Sequence, residues 1–90
     1  MLTPVRSSKF KRDVRKTRKR GKDLSKLRRL LDMLIRQVAL AEQYSDHPLR
    51  GRWAGCREAH IESDWLLIYR VSGEELHLVR TGSHSDLFKH

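Results

Sequence analysis

Five side chains in this sequence have the types needed for proton transfer at a phosphate: His47, His60, Asp64, Arg80 and His84. Cleaving RNA without a metal takes a base for the 2′-hydroxyl proton, a cation for the charge growing on the phosphate, and an acid for the leaving 5′-oxygen. Histidine suits both proton transfers because its unperturbed pKa lies near neutrality. A carboxylate can act as the base or orient a histidine. Arginine offers a planar fork of donors that matches phosphate oxygens. His60 and Asp64 flank one tight turn, His47 lies on the loop leading in, and Arg80 and His84 close the last strand. The order of segments allows these groups to meet on one edge of a sheet.

Each residue also has a plain structural explanation. His47 in Asp-His-Pro can serve a turn, His60 can be an exposed strand residue, and Asp64 can simply form a turn. Arg80 can pair with Glu58 or Glu62. Their clustering in the less basic half of the chain favours chemistry. His77, in mid-strand, and His90, at the terminus, read as incidental. A metal site is a second chemistry, since His47, His60, Asp64 and His84 are acceptable Zn²⁺ or Ni²⁺ ligands. Their spacing matches no familiar zinc motif, and the surrounding positive charge disfavours a cation, so no metal or cofactor is expected. Cys56, the single cysteine, reads as a small buried residue rather than a nucleophile. Of the two tryptophans, Trp53 is expected to pack its loop and Trp65 to stack on a base.

The elements that must position these groups follow from the patterning. Leu2–Arg6, with Pro4, suits an edge strand. Ser7 and Ser8 can cap a helix running to about Arg20, with Phe10 and Val14 as a narrow apolar stripe. Lys9, Lys11, Arg12, Arg15, Lys16, Arg18, Lys19 and Arg20 crowd around that stripe, and Gly21 ends the helix. Asp23 caps a second helix, predicted over Leu24–Glu42, with Leu24, Leu27, Leu31, Leu34, Ile35 and Val38 at helical spacing. Asp46, Pro48, Gly51 and Gly55 mark an ordered loop from Gln43 to Gly55, anchored by Leu49 and Trp53. Three strands follow: Cys56–Glu62, Trp65–Val71 and Glu75–Thr81. In the first, Cys56, Glu58, His60 and Glu62 share one face. The short tail from Ser83 folds back through Leu87 and Phe88. The expected architecture is α+β: a helical hairpin packed on one face of a small, mainly antiparallel sheet, the other face free to build a site, in one domain spanning residues 1–90.

Twenty Lys and Arg against eleven Asp and Glu give a net charge of +9 and a pI near 10.5. Such a balance implies a polyanion or an acidic protein as partner. A lone cysteine, no long apolar run and no apolar leader fit a soluble cytoplasmic protein.

The motif Asp46-His47-Pro48-Leu49-x-Gly-x-Trp53-x-Gly-x-Arg57-x-x-His60-x-x-x-Asp64-Trp65-x-Leu-Ile-Tyr69, followed by Arg80-Thr81-Gly82-Ser83-His84-x-x-Leu87-Phe88, resembles the YafQ branch of the RelE/ParE toxin superfamily. The resemblance covers nearly the whole chain. It implies a microbial-RNase-like α+β fold and the toxin half of a type II toxin–antitoxin pair. It further implies a metal-independent, ribosome-dependent mRNA endonuclease that works in the A site and leaves a 2′,3′-cyclic phosphate. The family's functional residues fall on His47, His60, Asp64, Trp65, His84 and Phe88, with Arg80 at the phosphate. Phe88 and Trp65 would position bases. The family pattern leaves open which of Asp64 and the histidines is the base; our own assignment is Asp64 as base and His84 as acid, with His47 and His60 orienting and stabilising. The basic helices would grip ribosomal RNA or an acidic antitoxin segment. Two departures stand out: Glu58 replaces an aspartate, and Lys89-His90 extends past the usual Leu-Phe stop. A gyrase inhibitor on the same fold and a non-catalytic RNA- or DNA-binding protein are the competing functions, and neither needs the histidines.

Overall fold

A computed structural model describes residues 1–88; Lys89 and His90, including the tail extension noted above, lie outside the described residues. The chain forms strand β1 (Thr3–Arg6), helices α1 (Ser8–Lys19) and α2 (Leu24–Ile35), strands β2 (His47–Pro48), β3 (Arg57–Glu62), β4 (Trp65–Ser72) and β5 (Glu75–Gly82), and helix α3 (His84–Leu87). The sheet order is β1-β5-β4-β3-β2. Only β1–β5 is parallel; the other pairs are antiparallel. This is the expected α+β arrangement, with Leu2–Arg6 supplying the edge strand.

Caps start both long helices. The Ser7 hydroxyl accepts from the Phe10 N–H at 2.9 Å and donates to the Val79 carbonyl at 2.9 Å, so one side chain caps α1 and ties it to β5. The Asp23 carboxylate accepts from the Ser25 N–H at 3.0 Å. Helix α2 stops at Ile35, well short of Glu42. Gln37 takes a left-handed conformation (φ 59°), its N–H donates to the Leu34 carbonyl, and the Val38 N–H donates to the Met33 carbonyl. This is a Schellman ending built without glycine. The Ile35 carbonyl then accepts from the Leu2 N–H at 2.8 Å, so the helix end is also tied to the start of the chain. Val38, counted in the apolar stripe, is exposed.

Strand β4 divides the core. Trp65, Leu67 and Tyr69 face the helices and pack with Phe10, Leu27, Leu30 and Leu34. Leu66 and Ile68 face the other way and pack with Leu87, Leu49, Trp53, Val79 and Phe88. The second sheet face is therefore not free, as expected, but carries its own small core. Cys56 is a free thiol packed at its margin. A register shift between His60 and Glu62 turns Glu62 away from the face it would share with Glu58 and His60. Glu62 pairs instead with Lys22 and Lys26, each at 2.8 Å.

Trp65 does not serve as a stacking platform. It is 1% exposed, and its indole N–H donates to the Thr81 hydroxyl at 3.0 Å, which in turn donates to the Leu66 carbonyl at 2.7 Å. An alternating strand in mid-sheet sends this ring into the helical core, where no base can reach it. Trp65→Phe should lower the unfolding free energy by about 1–3 kcal/mol, through lost volume and a lost buried hydrogen bond. Urea unfolding measures that loss; a variant of unchanged stability would contradict the buried role.

Candidate nucleic-acid cleavage site

Strands β2 and β3 set two opposed networks one residue apart. Asp46 turns toward the helical face, where its carboxylate accepts from the Tyr69 hydroxyl at 2.6 Å and from Arg57 at 3.1 Å. Burial, reinforced by Asp46, pushes the Tyr69 phenol well above its usual range, so it stays a donor. His47 pairs across from Glu58. Its Nε2 lies 2.8 Å from Oε2 of Glu58, a carboxylate that is 5% exposed, and its Nδ1 lies 3.2 Å from the Pro48 carbonyl. The loop histidine is thus held by a strand pair on one side and a clamped aspartate on the other.

His84 arrives from the other end of the sheet on α3. The Ser83 hydroxyl accepts from the Asp86 N–H while the Asp86 carboxylate accepts from the Ser83 N–H, a reciprocal capping box. Gly82 is needed beside it, because a Cβ there would meet the Asp86 carboxylate at 3.0 Å. Arg20 donates to Asp86 at 2.6 Å and fastens α3 to α1. One oxygen of Asp64 accepts both the His84 N–H at 2.9 Å and a His84 ring hydrogen bond at Nδ1, 2.7 Å away. The backbone N–H, then the ring, holds the Asp64 carboxyl below the usual carboxylate range.

These supports line up the aromatic groups. Ring centroids are 6.2 Å apart for His47 and His60, 5.9 Å for His60 and His84, and 6.2 Å for His84 and Phe88. Phe88 meets Trp53 edge-on at 6.4 Å, so Trp53 packs the loop as expected. His60 sits in the middle of the row, its Nδ1 buried without a partner among the described residues. The structure therefore brings together His47, His60, Asp64, His84 and Phe88. It adds Glu58, whose role the sequence left open, although alternation already set Glu58 and His60 on one face.

Arg80 belongs to a neighbouring region. Its Nε and Nη2 donate to Asp13 at 2.7 and 3.1 Å, and the Thr81 N–H donates to the same carboxylate at 3.1 Å. The expected partners Glu58 and Glu62 are engaged elsewhere. Asp13 went unnoticed in the sequence, yet it is the single acid of α1 amid eight cations between Lys9 and Arg20, and that oddity was the available signal. Around Arg80 and Asp13, the side chains of Lys9, Arg12 and Lys16 enclose an open cleft of about 280 Å³. Lys11, Arg15 and Arg18 point away from it, toward α2. The basic run is thus two surfaces rather than one.

The row can carry out proton transfer, with His47 and His84 each set against a carboxylate. It can also hold a metal: His47, Glu58 and His60 offer ligand atoms within 4.8 Å of one another. His84 and Asp64, named as ligands from the sequence, pair with each other instead. His77 pairs with Glu75, away from the row.

The salt-bridged Asp86 has a pH signature. Its hydrogen bond to Arg20 drives its folded pKa far below the usual carboxylate value. Its stabilising contribution is complete above the unfolded carboxylate pKa of about 4 and is lost as pH falls toward the folded value. Asp86→Asn should melt lower than the parent at pH 7 and lose less on acidification, which thermal melts from about pH 7 to 2 would record. Parallel acid limbs for the two proteins would refute this linkage.

A sequence profile described as "Bacterial toxin of type II toxin-antitoxin system, YafQ" matches residues 2–89. The mRNA interferase toxin YafQ of Escherichia coli K12 is 45% identical over 83 residues, covering 91% of this chain and 90% of that protein. The toxin in the E. coli DinJ–YafQ complex superposes with a TM-score of 0.90 at 42% identity, over 98% of this chain and 99% of its own. A metal-bound toxin from Helicobacter pylori superposes with a TM-score of 0.92 at 42% identity, over 98% and 100% of the two chains. With the profile spanning nearly every residue and the fold retained throughout, the chain belongs to the YafQ family of bacterial type II toxin–antitoxin toxins.

Proposed function

We propose that this protein is an endoribonuclease that cuts translated mRNA in the ribosomal A site, by attack of the 2′-hydroxyl on the adjacent phosphate, leaving a 2′,3′-cyclic phosphate. The observation that carries this reading is the row His47–His60–His84–Phe88, in which carboxylates hold His47 and His84. The E. coli relative is an mRNA interferase, which fits that chemistry. A protein partner is proposed on the same grounds, since the E. coli relative is seen bound to DinJ.

Roles follow from the hydrogen bonds. Asp64 accepts twice through one oxygen and is held ionised, which makes it a weak base and a good anchor. It fixes the His84 ring with Nδ1–H toward the carboxylate, leaving Nε2 to protonate the leaving oxygen as general acid. The base is His60, central in the row and within one ring of the acid. His47, held by Glu58, offers positive charge to the phosphate. Phe88 stacks beside His84 and can position a base. Arg80, fixed by Asp13, joins Lys9, Arg12 and Lys16 as a strip for RNA phosphates, the ribosome-facing part of the basic surface.

The His47, Glu58 and His60 cluster supports a second reading for the same place, since two imidazoles and a carboxylate suit Zn²⁺ or Cu²⁺ and the H. pylori relative is metal-bound. A bound cation there would polarise phosphate oxygens. It would also occupy the two histidines that the metal-free route uses, so metal and acid–base cleavage should compete.

Primer extension on a translated message, with and without ribosomes, tests the proposal. Codon-phased cuts that need ribosomes are expected. His84→Ala should slow cleavage by roughly 10²–10⁴ while leaving binding largely intact. An unimpaired His84→Ala would remove the acid assignment, and intact message with a DNA-damage response would favour the gyrase-inhibitor alternative. EDTA should leave cleavage unchanged and added Zn²⁺ should inhibit it; loss with EDTA and recovery with Zn²⁺ would establish the metal route instead.

A further inference from the structure

The row of rings does not end at Phe88. Phe88 meets Trp53 edge-on at 6.4 Å, and the Arg52 guanidinium lies over the Trp53 ring, 5.5 Å from its centre. Trp53 and Phe88 belong to the core on the histidine side of the sheet. The loop that carries Arg52 is fixed by its own backbone. Gly51–Trp53 form one 3₁₀ turn, the Ala54 N–H donates to the Gly51 carbonyl at 3.0 Å, and the Leu49 N–H donates to the Cys56 carbonyl at 2.9 Å. The indole nitrogen of Trp53 is buried, so the ring stays seated while Arg52 is exposed above it. Stacking holds a guanidinium in place without consuming its hydrogen-bond donors. That separates Arg52 from the other arginines near the site. Arg57 is committed to Asp46, Arg20 to Asp86, and Arg80 uses Nε and Nη2 on Asp13. Arg52 has no carboxylate partner among the described residues. The row itself has no permanent cation: its histidines are charged only when protonated, and the groups that hold His47 and His84 are carboxylates. An RNA backbone approaching the row therefore needs a fixed positive charge beside it.

We infer that Arg52, stacked on Trp53 next to Phe88, is a substrate-binding residue that grips a backbone phosphate of the RNA strand flanking the one that is cut. Its planar fork presents paired N–H donors that match two phosphate oxygens. Arg52 lies against Trp53 and not against the histidines, so its phosphate is a neighbour of the scissile one. Its effect then falls on binding rather than on proton transfer. Phe88, half-buried between Trp53 and His84, takes the intervening base. The inference rests on the endoribonuclease reading for its ligand. It goes beyond that reading by adding a phosphate contact on the loop after β2, apart from the strip around Arg80.

A fluorescein-labelled single-stranded RNA with 2′-O-methyl riboses, which 2′-hydroxyl attack cannot cut, tests the assignment when titrated against the full chain by anisotropy over a range of salt. Arg52→Ala should weaken binding roughly tenfold at low salt. It should also lower the slope of log affinity against log salt by about 0.7, the signature of one lost phosphate contact on a single strand. Arg52→Lys should keep the slope and lose part of the affinity, because an ammonium retains the charge but not the fork or the stacking. Arg36→Ala removes an equal charge at the end of α2, where Arg36 pairs with Asp32, and should leave the slope unchanged. Circular dichroism melts confirm that each variant is folded. In cleavage of message on ribosomes, Arg52→Ala should raise KM about five- to tenfold and leave kcat within about twofold. An unchanged salt slope, an equal fall in slope with Arg36→Ala, or a loss confined to kcat would overturn the inference and leave Arg52 as a solvated cover for Trp53. A parent protein that fails to cut translated message would refute the catalytic reading alone, because the salt slope is read on a strand that is never cut.

Discussion

The period of two along β4 is the constraint on which this small protein depends. Trp65, Leu67 and Tyr69 go to one face and Leu66 and Ile68 to the other, and each set nucleates a different core. The first core holds the helices. The second holds the loop after β2 and the last helix, the two segments that bring His47, His84 and Phe88 to the row. A slip of one residue in β4 would exchange the two sets and dissolve both cores. The site is therefore a by-product of packing both faces of one central strand.

Carboxylates do most of the positioning. Asp46, Glu58, Asp64, Asp13 and Asp86 each accept from at least one histidine, arginine, tyrosine or backbone N–H. In a chain with a net charge of +9, these acids cannot be spread as a neutralising background. They are spent at the junctions between elements: α1 to β5 through Asp13, α3 to α1 through Asp86, the loop to the sheet through Asp46. The cations left over, chiefly on α1 and at the edge of α2, form the surfaces available to partners.

Placement of a charge matters as much as its count. The residues from Lys9 to Arg20 read in sequence as one basic strip, but helical rotation sends Lys9, Arg12 and Lys16 toward Arg80 and Lys11, Arg15 and Arg18 toward α2. One set borders a polar cleft and the other a groove with an aliphatic floor, so one helix presents two chemically different surfaces.

Much of this was readable from local pattern. Serine and aspartate caps, leucine spacing in α2, alternation in β3 and the continuous apolar run of β4 are short-range signals, and each element is present where they pointed, with α2 ending early. The histidine row was legible too, because His47, His60, Asp64 and His84 were recognisable by type and motif. What the sequence could not settle was long-range. The end of α2 at Ile35 depends on Gln37 turning left-handed where Leu2 meets the helix end, and nothing in the leucine periodicity announces it. Trp65 looked like a stacking residue beside Asp64, yet the strand phase buried it, since neighbours on a strand face opposite ways. Arg80 found Asp13 across 67 residues of chain, and Glu58 became the support of His47 through strand pairing. By itself the sequence determined the elements, the charge and the chemical inventory, because those depend on neighbours a few residues away. Tertiary structure alone decided which carboxylate holds which cation, which face each aromatic occupies and how the basic run divides, because those depend on the register and packing of distant segments.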